Sequence, residues 1–185
     1  AGSQFNDISI KEIVLGESIT QPGLQTIVNL QSFIYTDYLK NYDLLKNKMI
    51  SFTLSKHDMP PLSVSQLVYR MDNRTMNPTN VGQTEEFFLH ACDPTLIQDA
   101  KTLVSKSWKK VSPSNIVNFC LNEIGSRNND VEDSSPSRDY IAENIHPFQV
   151  ISQQSNVALV NGDDPSFTHY MTYENGGTHH FRSLY

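Results

Sequence analysis

His169, Glu174, His179 and His180, with Asp163 and Asp164 upstream, form the richest set of metal-ligating side chains in the sequence. Imidazoles and carboxylates in this mixture could hold zinc or iron, and a metal-dependent hydrolase would use His169, Glu174 and His179 to activate water. The spacing opposes that reading. His179 and His180 are neighbours on a predicted strand and point to opposite faces, so they do not converge on one ion. No HExxH helix is present. No catalytic, metal or cofactor residues are therefore assigned, and the cluster reads as a half-buried strand pair with polar edges.

The other chemical motifs are equally bare. There is no GxSxG elbow, P-loop or GxGxxG. Cys120 falls inside a predicted helix between Phe119 and Leu121, where a packed thiol fits better than an activated one. Lys106, Lys109 and Lys110 around Trp108 could stack on nucleic acid, but three lysines on a net acidic chain read better as a solvated face anchored by one indole. Asp163-Asp164 beside Gly162 lacks the twelve-residue spacing of an EF-hand and reads as a helix stop followed by a turn. Pro60-Pro61 is a rigid connection.

Composition narrows the classes. The 185 residues carry 14 Lys+Arg against 20 Asp+Glu, a net charge of −6, with 38% hydrophobic residues. That supplies a core for one domain or two small ones and no basic stripe for a duplex-binding face. No apolar run approaches the ~20 residues of a membrane span. The start, Ala1-Gly2-Ser3-Gln4, has no secretory pattern. Cys92 and Cys120, far apart and in no CxxC pair, are expected to be reduced, buried thiols in a protein folded in the cytosol.

Strands dominate up to about residue 92. Ile50, Phe52 and Leu54 alternate with Ser51, Thr53 and Ser55, the period of a sheet with one buried face. Ile8 and Ile10 open another strand whose apolar phase slips to Ile13 and Leu15, a slip that a β-bulge absorbs. Thr26 to Phe33, Leu62 to Met71 and Phe87 to Ala91 add three more. Gln21-Pro22-Gly23, Met59-Pro60-Pro61 and Asn77-Pro78-Thr79-Asn80 separate them. Five such strands predict a small antiparallel sandwich or barrel.

Helix signals follow. Asp93-Pro94 starts a helix expected over Pro94 to Val104, and Ser112-Pro113 starts a second that Gly125 caps. Ser126 to Asp139 has one apolar residue in fourteen and reads as a mobile loop. Pro147-Phe148 opens a third helical stretch reaching Val157, stopped by Asn161-Gly162-Asp163-Asp164-Pro165. The chain closes in a hairpin with Phe167, Met171 and Tyr173 on one face of its first strand, and Phe181 and Tyr185 on one face of its second. A three-residue loop, Asn175-Gly176-Gly177, would pair Glu174 with Thr178, put both apolar sets on one side, and place Gly177 in the left-handed region. The strand pattern is still running at Tyr185, so a truncated chain is expected.

Several segments together resemble a family. They are ISIKEI and GESITQPGL near the start, then EFFLHACDP from Glu86 and VSKSW from Val104. Towards the end stand IHPFQVI from Ile145, Ser155-Asn156, and a YEN…FRSL hairpin from Tyr173 to Leu184. Their order and spacing resemble the baseplate hub, or tail hub, proteins of contractile-tailed, T-even-like phages, related to the hub domains of contractile injection machines. The resemblance implies an α+β, mainly antiparallel β fold with tail-tube-like small barrels or sandwiches and attached helices. Residues 1–104 would form the first such domain with its C-terminal helix. Residues 105–185, comprising a helix, the 126–139 loop, a helix and the hairpin, would begin a second.

It further implies a non-enzymatic structural virion protein in the tail and baseplate, assembled in the host cytoplasm. Such a homotrimer connects a sixfold tail tube protein to a threefold central spike protein among other baseplate proteins. DNA passes through its channel without specific binding, which a chain of charge −6 suits. No cofactor is implied. Sheets that continue across subunit edges would place contacts at Ile8, Ile10, Ile13 and Leu15 of the first strand and Val28 and Leu30 of the next. In the hairpin, Phe167, Met171, Tyr173, Phe181 and Tyr185 would join them. The residue-level rivals are the metal-dependent hydrolase and a monomeric β-sandwich module that binds peptide or sugar through exposed Tyr and Trp.

Overall fold

A half-buried strand needs an apolar residue at every second position, and Ile8–Gly16 breaks that rhythm once. In the computed structural model, which describes residues 8–32, 48–75, 85–160 and 165–184, this segment is strand β1 (Ile8–Gly16), antiparallel to β2 (Gln25–Ser32). Ile10 lies opposite Leu30 and Glu12 opposite Asn29, so Lys11 is the extra residue of a bulge. Downstream, Ile13 faces Val28 and Leu15 faces Thr26. The expected slip is thus absorbed as predicted, and Ile10, Ile13 and Leu15 share a face.

β3 (Met49–Leu54), β4 (Leu62–Thr75) and β5 (Glu85–Cys92) complete a five-stranded sheet ordered β1-β2-β5-β4-β3. β5 is antiparallel to both neighbours, setting Val28 beside Leu89, Leu30 beside Phe87, and Thr26 beside Ala91. A second bulge interrupts β4 between Val68 and Arg70. On β3, Ile50, Phe52 and Leu54 are half-buried while Ser51 and Thr53 are exposed, matching the predicted alternation. Among the described residues no strand lies beyond β1 or β3. Phe33 and the Asn77-Pro78-Thr79-Asn80 turn fall outside the described residues.

The chain divides into two compact units. One comprises Ala1–Gly16, Gln25–Ser51 and Ser65–Cys92; the other comprises Glu17–Leu24, Phe52–Val64 and Asp93–Tyr185. In the second unit, helix α1 (Pro94–Lys101) begins as predicted, with the Asp93 carboxylate accepting the Thr95 N–H at 2.8 Å. It ends before Val104, because Thr102 is already extended and leads into β6 (Val104–Val111).

That strand and its partner β8 (Arg138–Ile145) escape the sequence reading. Val104, Lys106 and Trp108 share the inner face, and the lysine hides the alternation. Lys106 remains exposed, with Nζ 3.7 Å from the Phe119 ring centre. On β8 only the small Ala142 is fully buried, while Ile141 is exposed.

The segment expected to be a mobile loop, Ser126 to Asp139, is instead held by polar contacts. β7 (Asn129–Val131) runs parallel to β10 (Thr178–Ser183), and Ser135 exchanges backbone hydrogen bonds of 3.1 and 2.8 Å with Leu159. Glu132 accepts the Ser183 N–H at 3.0 Å, and Ser134 accepts that of Ser114 at 2.8 Å. Hydrogen bonding supplies what apolar burial does not.

Helix α2 (Pro113–Glu123) stops at Gly125, φ 71°, as its C-terminal signal predicts. α3 (Pro147–Ser155) packs against it, two residues shorter than expected. Ile116, Val117, Cys120, Leu121, Val150 and Ile151 join Trp108 and Phe181 in one core.

The closing hairpin pairs differently from expectation. β9 (Phe167–Thr172) meets β10 with Thr172 opposite Thr178, Met171 opposite His179, and His169 opposite Phe181, leaving a five-residue loop from Tyr173 to Gly177. The predicted pairing of Glu174 with Thr178 is displaced by two residues. Loop groups that a longer ladder would use are taken elsewhere. Tyr173 N–H donates to the Glu17 carboxylate at 2.7 Å, and the Asn128 amide donates to the Asn175 and Gly177 carbonyls. A shift of two keeps sidedness, so Phe167, Met171, Tyr173 and Phe181 still point the same way, while Tyr185 lies outside the described residues.

Gly177 has the positive φ expected of it, 116°, with the Asp93 carboxylate 3.3 Å from where a Cβ would sit. Gly177→Ala is expected to cost ~1–3 kcal/mol, read as a lower urea midpoint at unchanged slope.

Candidate functional site

The histidines of the hairpin are where sequence placed the densest chemistry. As predicted, the two on β10 part company: His179 turns towards His169, and His180 turns towards β7 on the opposite face. His169 and His179 stack with ring centres 5.3 Å apart, and His169 Nε2 lies 3.1 Å from His179 Nδ1. His179 Nε2 lies 3.1 Å from Thr95 Oγ1, and that hydroxyl in turn makes a short hydrogen bond to the Asp93 carboxylate. The Phe148 ring closes over both imidazoles, 5.2 and 5.8 Å away. Burial holds the His169 imidazole down to about 3 and, with Asp93 opposing, His179 down to about 4. Both rings are therefore neutral at pH 7.

Glu174 does not join them. It is exposed on the loop, at a polar recess of about 390 Å³ shared with Arg127, Asn128, Asp130, Thr178 and His180. His180 Nδ1 lies 2.9 Å from the Asp130 carboxylate and Nε2 lies 2.9 Å from Thr172 Oγ1. The Arg182 guanidinium, hydrogen-bonded to Asp130, holds that carboxyl below its ordinary range, with His180 contributing. The three proposed metal ligands thus split between a sealed pair and an open recess. Among the described residues no group of three His, Cys, Asp or Glu side chains is placed to hold a metal ion. Asp163 and Asp164 lie outside the described residues.

The thiol and the indole of the basic cluster are buried, whereas Lys106, Lys109 and Lys110 are exposed. Cys120 is fully buried mid-helix, and desolvation, with Glu123 and Asp99 adding to it, pushes its thiol up to about 12. Trp108 packs edge-on against Phe119 at 5.4 Å and lies beside Tyr140, so its indole is core and offers no stacking platform. Cys92 is also buried and free. A disulfide reagent at pH 8 is therefore expected to release almost no thiolate from the folded chain and two equivalents in denaturant; rapid release from the native protein would contradict this packing.

The expected contact residues separate by exposure. Ile10 is 60% exposed, Ile13, Leu15 and Leu30 are half-buried, and Val28 is buried. Phe167, Met171, Tyr173 and Phe181 are buried within their own unit, with Phe167 stacked on Phe181 at 4.9 Å. The side chains of Ile8 and Tyr185 lie outside the described residues. Val14, 46% exposed on the opposite face of β1, was not singled out. Its signal was the unbroken run Ile13-Val14-Leu15, which puts an apolar residue on the polar face.

No protein-family model and no curated protein matches the chain. Solved structures with a similar backbone path include the following two. The 43 kDa tail protein of prophage MuSo2 from Shewanella oneidensis aligns over 95% of this chain and 54% of its own, with a TM-score of 0.53 and 7% identity. The E. coli c3393 protein is described as a component of the type VI secretion system with structural similarity to T4 bacteriophage tail proteins gp27 and gp5. It aligns over 95% of this chain and 48% of its own, with a TM-score of 0.53 and 9% identity. The chain spans about half the length of each. Over nearly its whole length the chain shares the fold of this phage tail protein and this type VI secretion component.

Proposed function

We propose that the chain is a structural, non-catalytic part of a tail hub, joining a sixfold tail tube to a threefold central spike as a homotrimer. Residues 1–104 would supply one tube-like domain and residues 105–185 the beginning of another. The observation that carries this reading is the fold shared over 95% of the chain with a phage tail protein and a type VI secretion component. The partners are then the tail tube, spike and baseplate proteins, and the location is the virion tail. DNA passes without specific binding, which the charge of −6 favours. The similarity to c3393 favours a second reading in which the same hub serves a contractile secretion machine outside any virus.

The margins of the five-stranded sheet, beyond which no strand pairs among the described residues, support an assembly role. β1 is nine residues long, and an edge strand with free N–H and C=O groups accepts another strand. Ile8, Ile10, Ile13 and Leu15, backed by Val28 and Leu30, are the proposed contact row, joined by Val14. Phe167, Met171, Tyr173 and Phe181 would serve it indirectly, by holding the hairpin together. Phe181→Asp is therefore no probe of association, because a charge at a fully buried site unfolds the chain. The informative variant is Ile10→Lys with Val14→Lys, both exposed. Its stability is expected to stay within ~0.5 kcal/mol of the parent, while sedimentation changes from trimer to monomer. A wild-type full-length gene product that sediments as a monomer and shows no rings by electron microscopy would refute the hub.

A further inference from the structure

The hydrogen bonds in the chain His169–His179–Thr95–Asp93 run in one direction. Thr95 Oγ1 has a single proton, and its short contact with the Asp93 carboxylate commits that proton there; the Met171 thioether, 4.0 Å away, is the weaker acceptor. The hydroxyl lone pair must then receive His179 Nε2–H across 3.1 Å. That leaves His179 Nδ1 bare, so it accepts His169 Nε2–H at 3.1 Å. Each imidazole is neutral with one assigned tautomer, and each contact between the four residues has one donor and one acceptor.

A further proton has no comfortable place. On His179 Nδ1 it would confront the His169 N–H, unless His169 changed tautomer too. On His169 Nδ1 it would create a cation in a site that is almost fully buried. Among the described residues one anion bears on the pair. Asp93 faces the pair from the start of α1, His180 opposes protonation from β10, and Asp130 of β7 is engaged with His180 on the far face. α3, which supplies Phe148, contains no ionisable side chain.

We propose that this chain is an acid-released latch: proton uptake by the histidine pair frees the β9–β10 hairpin from the N-terminal end of α1. The closed state holds His169 near 3 and His179 near 4, whereas solvated histidines titrate at ~6.5. The open state therefore binds more protons between those values. Closure is fully stable above about pH 6.5 and weakens as the pH falls towards 4, by up to tenfold per pH unit for each histidine. The latch is a property of the second unit alone, whatever the chain assembles with.

Amide hydrogen exchange on the 185-residue chain, expressed as protection factors so that intrinsic rates cancel, tests it. Between pH 6.5 and 4.5 the amides of His179 and Phe181 are expected to lose at least tenfold more protection than that of Trp108 in β6. His169→Gln should remove about tenfold per pH unit from that slope. Should this variant not fold, nitrogen chemical shifts of the wild-type imidazoles give a second reading, with the proton of His179 on Nε2 at pH 7. Parallel loss of protection at Phe181 and Trp108, or a proton on His179 Nδ1, would overturn the latch.

Discussion

Strand β10 is enclosed on both edges and both faces, and much of the second unit answers that fact. β9 takes one edge and β7 the other, while Thr178, His179, His180 and Phe181 are all buried. Four consecutive buried residues, three of them polar, cannot rely on water. An unanswered polar group there would cost about 1–3 kcal/mol, so each has a protein partner. Glu174 O takes the Thr178 hydroxyl, Thr95 and His169 take His179, and Asp130 and Thr172 take His180. The N-terminal end of α1, the short strand β7 and the loop before it are thus placed by the polar requirements of one strand. Phe181 meanwhile secures it to the apolar core.

How far the sequence exposes this depends on which force acts locally. Where a backbone period and apolar burial coincide, the reading holds: the bulge at Lys11, the alternation on β3, and the Pro-initiated starts of α1, α2 and α3. Where a polar side chain lies on a buried face, it fails. Lys106 sets its ammonium over aromatic rings and masks β6, and Ala142 is too small to mark β8. Ser126 to Asp139 looks unable to order itself because its stabilisation is almost wholly polar and comes from residues far along the chain, Leu159 and Ser183 among them. Of the candidate site, the opposed directions of His179 and His180 were legible. The partnership of His179 with Thr95, 84 positions away, was not.

The shared fold and the absence of a converged reactive centre among the described residues belong together. Histidines, carboxylates and a thiol are all present, and several of these side chains serve internal order: a thiol inside a helix, two imidazoles bonded to one another, a carboxylate between His180 and Arg182. Among the described residues no strand pairs beyond β1 or β3 of the five-stranded sheet.

The hairpin's two-residue displacement bears on how such a turn is decided. Both arrangements bury the same aromatic and methionine side chains, so the apolar core is indifferent between them. Selection falls to Glu17 and Asn128, whose side chains reach the loop from elsewhere in the chain. The geometry of this local motif is arbitrated at a distance, and a peptide cut to residues 165–185 would lack both arbiters.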